Sequence, residues 1–104
     1  MALRLAALGN ETRLRVFRLL MKAGEPGLNV GEIQHHTGVP ASTMAHHINA
    51  LKQADLIRQI KNGREIRNVA HFATINALAS YMMEECCVGF GDASSTISQT
   101  DRDT

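Results

Sequence analysis

Residues Asn29 to Leu56 read NVGEIQHHTGVPASTMAHHINALKQADL, two short helical patterns parted by a glycine. Asn29 can accept from the backbone of the first turn while Glu32, three residues on, reaches back to the N–H of Asn29, an arrangement that satisfies orphan donors at a helix start. Gly38 is suited to end that helix. Pro40 brings a preset φ and no N–H, which costs nothing in the first turn of a second helix. On the second helix the 3.6-residue period places Ala41, Met44, Ala45, Ile48 and Leu51 on one face and Ser42, Thr43, His46, His47, Asn49 and Ala50 on the other.

That outward face is short, polar and free of carboxylates, so it can hydrogen-bond to base edges and phosphates without repelling them. The pattern is that of a helix-turn-helix whose second helix reads a major groove. An amphipathic helix is also the commonest object in any protein, and the flanking sequence has to decide between the two readings.

From Leu56 to Val69 the period changes to two, with Asn62-Gly63 between the runs, the strongest short-range signal for a β-hairpin with a type I′ turn. Lys61, Arg64 and Arg67 make this hairpin basic, suited to lie along DNA phosphates. Upstream, Asn10 can cap a core helix to about Ala23, with Leu14, Phe17 and Met21 in one row and Val16, Leu19 and Leu20 widening the stripe. Before it, Leu3 to Leu8 is a short apolar segment that needs something to pack on. After the hairpin a helix is expected from His71 or Phe72 to Cys87, with Phe72, Ile75, Ala79, Met82 and Cys86 on one face and Gly89 as its stop. The fold class is mainly α with a small β-hairpin. Residues 1–88 form one domain that dimerises through its terminal helices, and the polar, Gly- and Ser-rich residues 89–104 form a disordered tail.

The chain of 104 residues has no Trp, one Tyr and three Phe, so Leu, Ile, Val, Ala and Met must fill a single small core. The formal charge of +1 conceals a division: residues 1–83 carry a balance of +5 and residues 84–104 a balance of −4. The part expected to fold is basic, as a nucleic-acid binder requires, although a solvated charged face is the commoner origin of such a balance. No apolar run approaches a membrane span and the start MALRLAALGNETR lacks a signal-peptide core, so a cytoplasmic location is expected, with Cys86 and Cys87 as reduced thiols.

The order helix, helix, helix-turn-helix, hairpin, helix, with LAALGNETRLRVFRLL, VGEIQHHTGVPASTMAHHINALKQADLI and NGREIRNV, resembles the ArsR/SmtB family of bacterial winged-helix repressors over roughly residues 3–87. The resemblance implies a homodimer that binds double-stranded operator DNA and leaves it when an inducer binds. Ser42, Thr43, His46, His47 and Asn49 then fall on the reading helix, with Lys61, Arg64 and Arg67 in the wing. The Cys-x-Cys sensor positions of many family members are here Asn29 and Gly31, and the interface zinc set is represented only by His71, Glu84 and Glu85.

What remains is Glu84-Glu85-Cys86-Cys87. Adjacent thiolates suit a large soft ion, trivalent arsenic or antimony, and a group of arsenic-responsive members carries such a pair, usually with a third cysteine that this chain lacks. No permanent cofactor is expected. Two alternatives stay open: a thiol-redox or persulfide-responsive repressor, and a winged-helix protein interaction module without an operator. An enzyme is not expected, because no nucleophile and base stand in a suitable context.

Overall fold

The computed structural model describes residues 1–90; the expected tail lies almost wholly outside them. The elements follow as α1 (Ala2–Leu8), α2 (Glu11–Ala23), α3 (Val30–Thr37), α4 (Ala41–Gln53), β1 (Ile57–Asn62), β2 (Glu65–Ala70) and α5 (Phe72–Glu85). This is the architecture of a winged helix-turn-helix, with α3 and α4 as the motif and β1–β2 as the wing.

Side-chain caps open α2 and α3, and a glycine closes α3. Asn10 accepts from the backbone N–H of Arg13 at 2.9 Å and opens α2. The reciprocal pair Asn29/Glu32 opens α3, at 2.8 and 2.9 Å. Gly38 closes α3 in the left-handed region, with φ +72°, which a residue without Cβ adopts freely. Pro40 sits one position earlier than expected, as the extended residue before α4, and its carbonyl accepts from Thr43 and Met44.

The core is one cluster centred on Val16, Phe17, Leu20, Ile33, Met44, Ile48, Leu51, Leu56 and Ile57. Fully burying a side chain of this size contributes ~2 kcal/mol, so α2, α3, α4 and the root of the wing stand or fall together. Two stripes are rotated from expectation. On α2, Leu14 and Met21 are exposed while Val16, Phe17 and Leu20 are buried. On α4 the buried set is Met44, His47, Ile48 and Leu51, at i, i+3, i+4 and i+7, and Ala41 and Ala45 lie outside. A methyl group carries too little area to hold the arc against a larger imidazole.

The strands pair antiparallel with Asn62 opposite Glu65, so the turn residues are Gly63 and Arg64, one position later than expected. Only Gly63 has positive φ, +67°, the pattern of a turn with glycine first rather than the type I′ turn anticipated for Asn62-Gly63. The loop before α3 adds an isolated antiparallel rung to β2: Leu28 and Asn68 exchange backbone hydrogen bonds at 3.0 and 2.7 Å. Gly27 makes that approach possible, because a Cβ there would fall on the Asn68 carbonyl oxygen and 2.7 Å from Val69 Cγ2. Asn68 is wholly buried and satisfied, its Nδ2 donating to Leu28 and its Oδ1 accepting from Gln59.

α5 ends at Glu85, short of Cys87 and Gly89, and buries only Thr74 and Leu78. Ile75 packs half-buried against the core, while the larger apolar side chains at the two ends of the helix face outward: Phe72 is 76% exposed and Met83 73%. Among the described residues no helix is long and apolar enough to cross a membrane.

Candidate nucleic-acid interface

The outer side of α4 is an uncharged polar strip. Ser42, Thr43, His46 and Asn49 are exposed there, and no carboxylate shares the helix. His47 is not part of this strip, against expectation. It is 8% exposed, packed inward with Ile48 and Met44, and its Nδ1 has no hydrogen-bond partner among the described residues. Burial, helped by the charges of Arg13 and His46, holds its pKa below the ordinary histidine value, so the ring is neutral near pH 7 and compatible with the core.

The wing divides its cations. Lys61 and Arg64 are exposed at the tip, and neither is in an ion pair among the described residues. Arg67, expected beside them, turns back instead. Its Nε donates to Pro26 O at 3.1 Å, Nη1 to Glu65 at 2.7 Å, and Nη2 to Gly27 O and to Glu32 at 3.3 Å. Its side chain is 17% exposed, its donors are committed to protein acceptors, and it is a clamp between β2 and the start of α3 rather than a DNA-facing group. Glu65 is the centre of the clamp. The Arg67 guanidinium, then the amide of Asn29 at 2.8 Å, hold its carboxyl below the usual range. The cap residue that begins α3 therefore also orients the wing.

A second junction sits where α4 ends. Asp55 has φ +62° and accepts from Thr74 Oγ1 at 3.0 Å, meets His71 Nδ1 at 3.2 Å and pairs with Arg4 at 3.6 Å. These bonds, the Thr74 hydroxyl foremost, depress its pKa. They join α1, the end of α4 and the start of α5.

Cys86 and Cys87 lie just past α5, exposed, with their sulfurs 3.1 Å apart. Cys87 has φ +64°, so the chain has left the helix and the expected helical position of Cys86 is not realised. Among the described residues no group of three or more His, Cys, Asp or Glu side chains is placed to hold a metal ion. His35 and His36 are exposed neighbours with ring centroids 5.6 Å apart.

Further cations, not anticipated as part of a site, lie on α2. Arg15, Arg18 and Lys22 line a cleft with His36 and Thr37 of α3. Their i, i+3, i+7 spacing is visible in the sequence; their proximity to α3 is not.

A family model for a helix-turn-helix domain matches residues 8–60. An ArsR-like transcriptional regulator from Rhodococcus sp. RHA1 is similar in structure, with a TM-score of 0.71 and 31% identity over 80% of this chain and 76% of that one. The chain belongs to the ArsR family. Its members are winged helix-turn-helix transcriptional regulators, and neither the family nor the fold is that of an enzyme. This ArsR-family chain is also 33% identical over 60 residues to the transcriptional repressor SdpR of Bacillus subtilis (strain 168), a match covering 58% of this chain and 63% of that repressor. The homodimeric winged helix-turn-helix domain of Mb0332 from Mycobacterium bovis superposes with a TM-score of 0.63 and 25% identity, over 81% of this chain and 78% of that one.

Proposed function

We propose that this ArsR-family protein is a homodimeric repressor of the cytoplasm that binds double-stranded operator DNA. The observation that carries the reading is the exposed strip Ser42, Thr43, His46 and Asn49, free of carboxylates, beside a wing tip bearing Lys61 and Arg64. Hydroxyl and amide groups read base edges, and the tip cations neutralise phosphates. Dimerisation is supported by the apolar side chains left exposed at both ends of the chain, Leu3 and Leu5 on α1 and Phe72, Met82 and Met83 on α5. The similar Mb0332 domain is homodimeric. Residues 1–88 are the unit that folds, dimerises and binds.

The inducer we propose is trivalent arsenic or antimony at Cys86 and Cys87. The two sulfurs are exposed and adjacent, and each As–S bond formed from arsenite releases one water. A third ligand comes from solvent or from the other protomer. Binding there, at the end of α5, changes the dimer contact and hence the spacing of the two α4 helices.

Fluorescence anisotropy of a labelled duplex from the gene's upstream region, titrated with protein and then arsenite under reducing conditions, tests both parts. The expected result is nanomolar-range binding that arsenite releases, with Cys86→Ser/Cys87→Ser still bound and no longer released. Binding that arsenite leaves unchanged removes the metalloid. Release by an oxidant would then select the thiol-redox reading, and weak binding without preference for the operator would select an interaction module.

A further inference from the structure

We infer that the cleft between α2 and the end of α3 holds a phosphate of the DNA backbone next to the groove read by α4, extending the contact beyond the recognition helix and wing. The inference rests on the operator-binding reading above.

α2 buries Val16, Phe17 and Leu20, which obliges Arg15, Arg18 and Lys22 to emerge together on the opposite side. They meet His36 and Thr37 across a concave space of about 350 Å³. Arg15 Nη2 donates to the Thr37 carbonyl at 2.9 Å, which fixes the cleft against the last residue of α3, at the turn leading into Ser42 and Thr43. Among the described residues the Arg15 guanidinium is in no ion pair, which leaves donors beyond that one for an anion.

Cations outnumber carboxylates on this face of α2, where the exposed Glu11 stands one turn before Arg15 and does not line the cleft. Glu25, Glu32, Asp55 and Glu65 are taken up by Arg58, Arg67, Arg4 and His71, and none of the ion pairs among the described residues involves Arg15, Arg18 or Lys22. Among the described residues no acidic side chain lines the space. Guanidinium groups bind phosphate oxygens through paired N–H donors, an ammonium adds a point charge, and His36 can donate a further hydrogen bond. A backbone phosphate is the anion that arrives when α4 enters a groove, because the cleft abuts the turn at the start of that helix.

The test uses the full chain carrying Arg18→Ala and Lys22→Ala, exposed residues whose side chains are in no ion pair among the described residues, with thermal melting to show an unchanged fold. Duplex affinity is measured by anisotropy from about 50 to about 200 mM salt. The expected result is a loss of about tenfold on operator and scrambled duplexes alike, with the slope of log K against log salt reduced by about 1–2. Wild-type binding with a slope and affinity that the folded variant shares overturns this site alone. No duplex binding by the wild-type chain overturns the operator reading and this site with it. Inorganic phosphate is the second probe: titrated at constant ionic strength, it is expected to displace duplex no better than chloride. Saturable phosphate binding that the substitutions abolish while duplex affinity stays unchanged would make the cleft a site for a free anion and overturn the inference.

Discussion

His47 and Arg67 show how much depends on where one side chain turns. A buried imidazole whose folded pKa lies below its unfolded value near 6.5 contributes stability that is present at neutral pH and lost as the pH falls below about 6.5, because the unfolded chain then takes up the proton more readily. The denaturation midpoint is therefore expected to decrease as the pH is lowered from about 7.5 to about 5.5, and His47→Asn should lose part of that decrease. Chemical denaturation of both proteins across this range checks it; parallel curves would show that His47 does not titrate with folding. Arg67 and Arg64 should separate cleanly. Arg67→Ala is expected to lower the melting temperature, since it takes one donor from each of Glu65, Glu32 and two loop carbonyls, whereas Arg64→Ala should leave melting unchanged and weaken duplex binding in a salt-dependent way.

The wing is held at its root by a loop, and Gly27 is the point of closest approach. With φ +81° and the Asn68 backbone in the place of a Cβ, Gly27→Ala combines backbone strain with a clash and is expected to cost about 2–4 kcal/mol. Gly24→Ala, also at positive φ but in open space, should cost only the strain. Urea titration of the two variants measures the difference; equal losses would mean that the Leu28–Asn68 rung yields at little cost. The same rung makes the wing a continuation of the motif, since Asn29 both caps α3 and holds Glu65 of β2.

The terminal helices leave the molecule asymmetric, polar and basic around α4 and the wing tip, apolar along α1 and α5. Phe72→Glu and Met83→Glu are expected to shift the protein from dimer to monomer in sedimentation equilibrium and to weaken operator binding at least about tenfold, because two linked half-sites become independent. A dimer unaffected by both substitutions would place the interface elsewhere. The Asp55 junction ties these helices to the end of α4, so a displacement of α1 or α5 has a bonded route to α4 through Arg4, His71 and Thr74.

Much of this was written locally in the residue order. The Asn29/Glu32 cap, the Gly38 stop, the alternation from Leu56, and the apolar ends are short-range patterns whose physics needs no partner, and they sufficed for the winged helix-turn-helix and the polar strip on α4. Periodicity located the helices but not their buried arcs, since Ala41 and Ala45 are small enough to lie on either side and the packing of α2 against α4 chose His47. The hairpin was legible from Asn62-Gly63, yet its turn moved one residue because the register is set across β1 and β2. The division of the cations was hidden for a similar reason. Arg67 finds its acceptors at Pro26, Gly27 and Glu32, and Arg15 finds Thr37, distant in sequence and near only once folded. Charge is a property of a residue, but whether it is spent on the protein or offered to a partner is decided by the tertiary contacts that surround it.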